Sequence, residues 1–260
     1  MTINRENVMG QFAAYTRNYD SNDPKIALKI RHTYRVAEHC EEIARAIGMN
    51  DEDIEIAWML GMLHDIGRFE QVKRYGTFYD NQSVDHAEFG ADLLFGKDNL
   101  IRTYVEDSSC DDVIETAVRQ HNKLRISEDV KGKTFAFCNI LRDADKIDIF
   151  RVNVETPPED IYNVSPEELR SSAVSEAVMN EVRKHHVVPR GIPRTPADRI
   201  LTHIALAFEL VYPISYEIAE KEGYLDKLLH YASDNEITRA ALIETEQELK
   251  KWKEEYDKQS

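Results

Sequence analysis

Cysteine is scarce in this 260-residue sequence: Cys40, Cys110 and Cys138 stand far apart, odd in number and without a CxxC pair. That pattern fits reduced thiols in a cytosol better than a disulfide framework. No apolar run approaches the roughly 20 residues that span a bilayer, and the N-terminal MTINRENVMGQFAAYTRNYD has no continuous apolar h-region. A soluble, cytoplasmic protein with no membrane partner is expected. Positive charge is also short, 33 Lys and Arg against 48 Asp and Glu, for a formal net charge of -15. Such a field repels polyanions, so duplex nucleic acid is not an expected partner. It does not exclude small phosphate compounds, because a bound cation can reverse the sign of a cleft. Strand alternation between Asn-Gly or Asp-Gly turns is missing, as are internal repeats and low-complexity segments, so the expected fold class is all-α.

What is present supports a folded chain. Hydrophobic residues make up 42% and charged residues 31%, the latter dispersed rather than blocked, which supports a core and argues against disorder. One domain over residues 1–260 is the starting expectation for this length. From Asp23 and Pro24 to Gly48, Ile26, Ile30, Thr33, Ala37, Cys40, Ala44 and Ile47 recur at steps of three and four, the period of an amphipathic helix. A second helix is predicted from about Asn50 or Asp51 to Gly67, with Ile54, Ala57, Trp58, Gly61 and His64 inward. FEQVKRYGTFYDNQS lacks helical periodicity and reads as a long loop. Ser83 is the predicted cap of a short helix through His86, and Asp111 or Asp112 starts another through His121. Gly132 precedes a further helix carrying Cys138 and Leu141. Two proline-bearing stretches, TPPEDIYNVSPEE and VVPRGIPRTPAD, read as surface connections or lids. Two long helices are predicted to end the chain. The last, with Leu242, Leu249, Trp252 and Tyr256, has the pattern of a docking helix or of a homo-oligomer seam.

A metal-competent side chain lies on or beside the apolar stripe of each predicted helix: His32 with Val36 and Ile43, His64 after Gly61, His86 before Phe89, His121 after Ala117, and Asp145 after Leu141. One inward histidine is ordinarily a hydrogen-bonded core residue. A buried carboxylate, in contrast, must be paired, hydrogen-bonded or metal-bound. Five such positions together with Asp65 are poorly served by independent explanations, and one shared cation centre would satisfy them all. Helical spacing does not choose among Asp143, Asp145 and Asp148.

With His32 in KIRHTYRV, the doublet in LHDIGR and Asp145 in LRDADKID, the sequence from about 25 to 150 resembles the HD-domain metal-dependent phosphohydrolases. The resemblance implies a helical bundle with this metal-binding core and a C-terminal helical extension over about 165–258. In the members that bind two metals, two more histidines fall between the doublet and the last Asp, where SVDHAEFG and VRQHN supply His86 and His121. By that resemblance His32, His64 and Asp145 hold one ion, His86 and His121 the other, and Asp65 bridges them. Mixed imidazole and carboxylate ligation suits divalent transition metals, with iron or manganese favoured over zinc, nickel or cobalt.

The implied reaction is hydrolysis of a small phosphorylated substrate, an ester or anhydride such as a nucleotide, by metal-activated water. Asp65 and Arg68 are the catalytic candidates; Arg68 stands where many relatives place Lys, could steady phosphate charge, and leaves the leaving-group acid unassigned. Lys123 with Arg125, and Arg190 with Arg194, are candidate cations over a bound phosphate, although loop charges of this kind are ordinarily solvated. His39, two turns beyond His32, is expected to be structural, and His185, His186, His203 and His230 fall outside the resemblance. Two other readings share parts of this pattern: a diiron oxygenase built on the same ligands, and a non-catalytic signalling module, which ordinarily loses some of them.

Overall fold

The computed structural model describes residues 3–192 and 194–258, and among them there is no β-strand. The chain divides into two compact units, the first ending at Asp145 and the second beginning at Lys146.

In the first unit Asn4 accepts a hydrogen bond from the Asn7 amide and starts α1 (Arg5–Thr16), which buries Val8 and Phe12. Phe12 meets Phe69 and Tyr34 edge-on, with ring centroids 5.7 and 5.6 Å away. Asp23 caps α2 (Pro24–Ala46) through the Lys25 amide, with Pro24 in the first turn where its missing N–H costs nothing. Asn50 caps α3 (Asp51–Leu63), every residue of which from Ile56 to Leu63 is buried, so this helix forms the centre of the unit. Gly61 permits that position: a Cβ added there would stand 2.4 Å from the Ala37 Cα on α2. Backbone cannot yield as a flexible side chain does, so Gly61→Ala is expected to cost about 1–3 kcal/mol, read as a lower thermal midpoint.

The predicted loop after Gly67 is in its first half a helix, α4 (Ile66–Tyr75). The physical reason is a short stripe, Ile66, Phe69 and Val72, which is buried at three-residue spacing and stopped by Gly76 in the left-handed region at φ 68°. Its second half is irregular apart from one 3-10 turn at Asp80–Gln82. Asp85, not Ser83, caps α5 (His86–Phe95), accepting from the amides of Ala87 and Glu88. Asp85 wins because it directly precedes the first turn, whereas Ser83 donates to the Tyr79 carbonyl. Then come α6 (Ile101–Tyr104), α7 (Asp111–Gln120) and α8 (Gly132–Glu155), which begins at the predicted glycine.

In the second unit the proline-bearing connection contains two short helices, α9 (Pro158–Tyr162) and α10 (Pro166–Ser171), the latter with a capping box between Ser165 and Glu168. After α11 (Glu176–Val182) follow α12 (Asp198–Ile204), a 3-10 turn at Ala205–Glu209, α13 (Pro213–Glu222), α14 (Tyr224–Leu229) and α15 (Glu236–Asp257). Only α15 is long; the penultimate predicted helix is broken at Gly223, which is left-handed at φ 72°. Within this unit α15 packs on α11 and α14, with Leu242 and Leu249 buried and Trp252 stacked on Tyr256 at 4.9 Å. No helix among the described residues is long and apolar enough to cross a membrane.

Candidate metal centre

Five helices of the first unit deliver the six predicted donors to one place. His32 projects from the third turn of α2, His64 ends α3, Asp65 lies between α3 and α4, His86 opens α5, His121 ends α7 and Asp145 sits midway along α8. The four histidines and Asp65 are buried; the Asp145 side chain is 17% exposed and is the open edge of the group.

Asp65 divides the centre in two. Its Oδ2 faces His32 Nε2 at 3.5 Å and His64 Nε2 at 3.4 Å, and its Oδ1 faces His86 Nε2 at 3.5 Å and His121 Nε2 at 3.8 Å. Asp145 Oδ1 joins the first half, 3.1 Å from His32 Nε2 and 3.9 Å from His64 Nε2. Helical spacing left three aspartates open, and the structure separates them. Asp148 is paired on both oxygens with Arg151 at 2.7 Å, Asp143 is buried, and Asp145 meets the imidazoles.

The imidazoles are oriented from behind. His64 Nδ1 lies 2.8 Å from the Gly61 carbonyl, His121 Nδ1 2.6 Å from the Val118 carbonyl, and His86 Nδ1 2.8 Å from Asp80 Oδ2. These acceptors fix the N–H on Nδ1 and leave a lone pair on Nε2 of the neutral ring. Burial favours the neutral ring, pushing His64 down and His86 down to about 3. Yet His86 Nε2 and His121 Nε2 are 3.0 Å apart, and His32 Nε2 and His64 Nε2 are 3.3 Å apart. In His86 and His121, whose Nδ1 atoms both carry the proton, the facing lone pairs repel, and a cation between the nitrogens relieves the contact. Two nitrogens about 2.1 Å from one ion, at tetrahedral to octahedral angles, stand roughly 3.0 to 3.4 Å apart. The donor set therefore fits a pair of cations sharing Asp65.

The carboxylates agree. Burial alone would raise Asp65, but the adjoining Lys29 ammonium opposes that, and the group is held well below the ordinary carboxylate range. Burial likewise opposes the ionised form of Asp145, and the hydrogen bond from His32 outweighs it. Both are anions ready to ligate.

Residues behind the donors were less visible in the sequence. Lys29 Nζ lies 2.6 Å from Asp65 Oδ2; it precedes His32 by three residues, a helical spacing that could have revealed it. Asp80 gave no such signal, because it stands in irregular backbone. Its carboxylate is held by Arg68 at 2.9 Å and Gln71 at 3.0 Å while it orients His86. Arg142 on α8 donates to the carbonyls of Gln120, Lys123 and Leu124 and so fixes the chain around His121. Asp80→Asn keeps the shape but weakens the grip on the His86 ring. It is expected to lower affinity for a metal ion held by His86 about 10–100-fold, read by competition with a metal indicator.

The other predicted residues are placed as follows. Arg68 directs Nε toward Asp65 Oδ1 at 3.6 Å and commits one terminal nitrogen to Asp80, Gln71 and the Phe78 carbonyl. Lys123 bridges Asp85 at 2.9 Å and Glu88 at 2.8 Å, and Arg125 is exposed. Arg190 is exposed in the second unit, where Arg194 donates to the carbonyls of Val188 and Pro189. His39 is buried on α2, His185 contacts Glu248 at 3.0 Å, and His186 and His230 are exposed.

Comparison with known proteins gives one family: the model of the HD domain matches residues 30–150, a span that includes all six donors. No curated protein and no solved structure matches the chain.

Proposed function

We propose, because residues 30–150 match the model of the HD domain, a family of mostly metal-dependent hydrolases, that this protein is a phosphohydrolase acting on a small phosphate ester or anhydride, with nucleotides the first class to try. The observation that carries the reading is the division of labour at Asp65, one oxygen turned to each pair of imidazoles. His32, His64 and Asp145 would hold one ion and His86 and His121 the other, with Asp65 shared. Divalent ions in such a site supply Lewis acidity, activating water and neutralising phosphoryl charge. Iron or manganese suits the donor set best.

The protein's own groups prepare this site. The carbonyls of Gly61 and Val118 and the Asp80 carboxylate hold three rings in one tautomer, so little reorganisation is needed when substrate arrives. Arg68, with one terminal nitrogen committed behind the centre, acts by positioning Asp80. Lys29 is the cation nearest the bridging carboxylate and the better placed of the two to meet a phosphoryl oxygen. Lys123 would have to leave Asp85 and Glu88 to do the same.

The purified full chain, supplied with Mn(II) or anaerobically with Fe(II), is expected to release phosphate or a nucleotide from at least one nucleoside phosphate or cyclic nucleotide, and a chelator should stop it. Substrate-dependent dioxygen uptake without phosphate release would replace hydrolysis by oxidation. Neither activity in protein that retains metal would refute the enzyme reading.

A further inference from the structure

Lys29 stands one turn before His32 on α2, with its side chain only 14% exposed. An ammonium carries three N–H donors. Among the described residues Lys29 Nζ has a single acceptor, Asp65 Oδ2 at 2.6 Å, so two donors remain for a further oxygen. Its other neighbour is a ring: Nζ lies 5.5 Å from the centroid of Phe78, in the irregular strap that follows α4. The Arg68 guanidinium lies over the same ring at 5.6 Å and points Nε toward the second oxygen of Asp65, at 3.6 Å. These distances bring Lys29, Asp65, Arg68 and Phe78 to one place in the first unit.

The ring is held there through its strap. Arg68 donates to the Phe78 carbonyl at 2.7 Å and to Asp80 Oδ1 at 2.9 Å, and Gln71 donates to Asp80, to Ser83 and to the Val84 carbonyl. Lysine is a compact charge on a flexible four-carbon stem, so with Asp65 as its only contact the ammonium would be free to swing about that carboxylate. The half-buried Phe78 ring adds a second point of attachment. It attracts the ammonium through the negative face of its π-system and consumes no N–H in doing so.

We propose, on the phosphohydrolase reading, that Lys29 binds a phosphate oxygen of the substrate with its unused N–H groups and that Phe78 is the positioning residue that holds the ammonium for it. Arg68 keeps the strap in place, one terminal nitrogen serving Gln71, Asp80 and the Phe78 carbonyl together. The pair suits a compact anion with several oxygens, because one ammonium can serve more than one acceptor.

The test is a double-mutant cycle read by calorimetry, with inorganic phosphate titrated into the full Mn(II)-loaded chain. Lys29→Gln should weaken binding about tenfold, as loss of a charge-assisted contact does. Phe78→Leu, which keeps an apolar side chain and removes the ring, should weaken it about threefold, and Phe78→Tyr should bind as the wild type does. In Lys29→Gln protein, Phe78→Leu should add almost nothing, because the ring then has no ammonium to hold. The Mn(II) affinity of Phe78→Leu should match that of the wild type, since the strap stays tied to Arg68 and Gln71. Equal weakening by Phe78→Leu with and without Lys29 would overturn the proposal, as would a parallel fall in Mn(II) affinity, the mark of a displaced Asp80. So would a wild type that binds no phosphate, or Lys29→Gln protein that binds it undiminished. An intact cycle without turnover would support the phosphate site and count against hydrolysis; turnover without coupling would do the reverse.

Discussion

Asp65→Ala is expected to cost the protein both ions at once and to reduce turnover by about three orders of magnitude or more. Both of its oxygens are in use, Oδ2 toward His32 and His64 and Oδ1 toward His86 and His121, so removing the carboxylate withdraws a donor from each half. It also leaves Lys29 without the counter-charge of Asp65. Substitutions in one half should behave differently. His86→Ala should release one ion and keep the other, and His64→Ala should do the converse. Elemental analysis beside a phosphate-release assay distinguishes these patterns. Loss of turnover with metal content unchanged would mean that Asp65 does not bridge.

Removal of metal is the second large effect. The fold holds the Nε2 atoms of His86 and His121 3.0 Å apart with lone pairs opposed, an arrangement that a bound cation stabilises. A ligand present at a thousandfold excess over its Kd stabilises the native state by about 4 kcal/mol. Chelation should therefore lower the thermal midpoint by several degrees, and added Mn(II) or Zn(II) should restore it. In Asp65→Ala most of that gain should vanish. Scanning calorimetry of the two proteins, with and without chelator, reads the difference. Identical midpoints for loaded and stripped wild type would show that the donors hold nothing that matters to the fold.

Much of the centre was legible because helices write their inward faces in steps of three and four. His32 sits on the stripe of α2 and Asp145 beside that of α8, and both turn inward as the period requires. The choice of Asp145 over Asp143 and Asp148 was not legible from spacing, since neighbouring positions on a buried helix all face protein. Only the family pattern made it, and the geometry shows why the others differ: Asp148 has its own arginine three residues on. Asp80 escaped notice because loops carry no period; its role depends on where the irregular chain after Gly76 returns to meet His86. The short helix α4 is hidden for another reason: its stripe begins at Ile66, ahead of Gly67, which reads as the end of the preceding helix. Arg142 could not be inferred from its neighbours, because its partners are backbone carbonyls on another element.

The most direct test is a crystal of the Mn(II)- or Fe(II)-loaded protein, with diffraction recorded on either side of the metal absorption edge. Two anomalous peaks should appear, one among His32, His64 and Asp145 and one against His86 and His121, each within bonding distance of a different oxygen of Asp65. Peaks elsewhere, or none in crystals grown with saturating metal, would contradict the account.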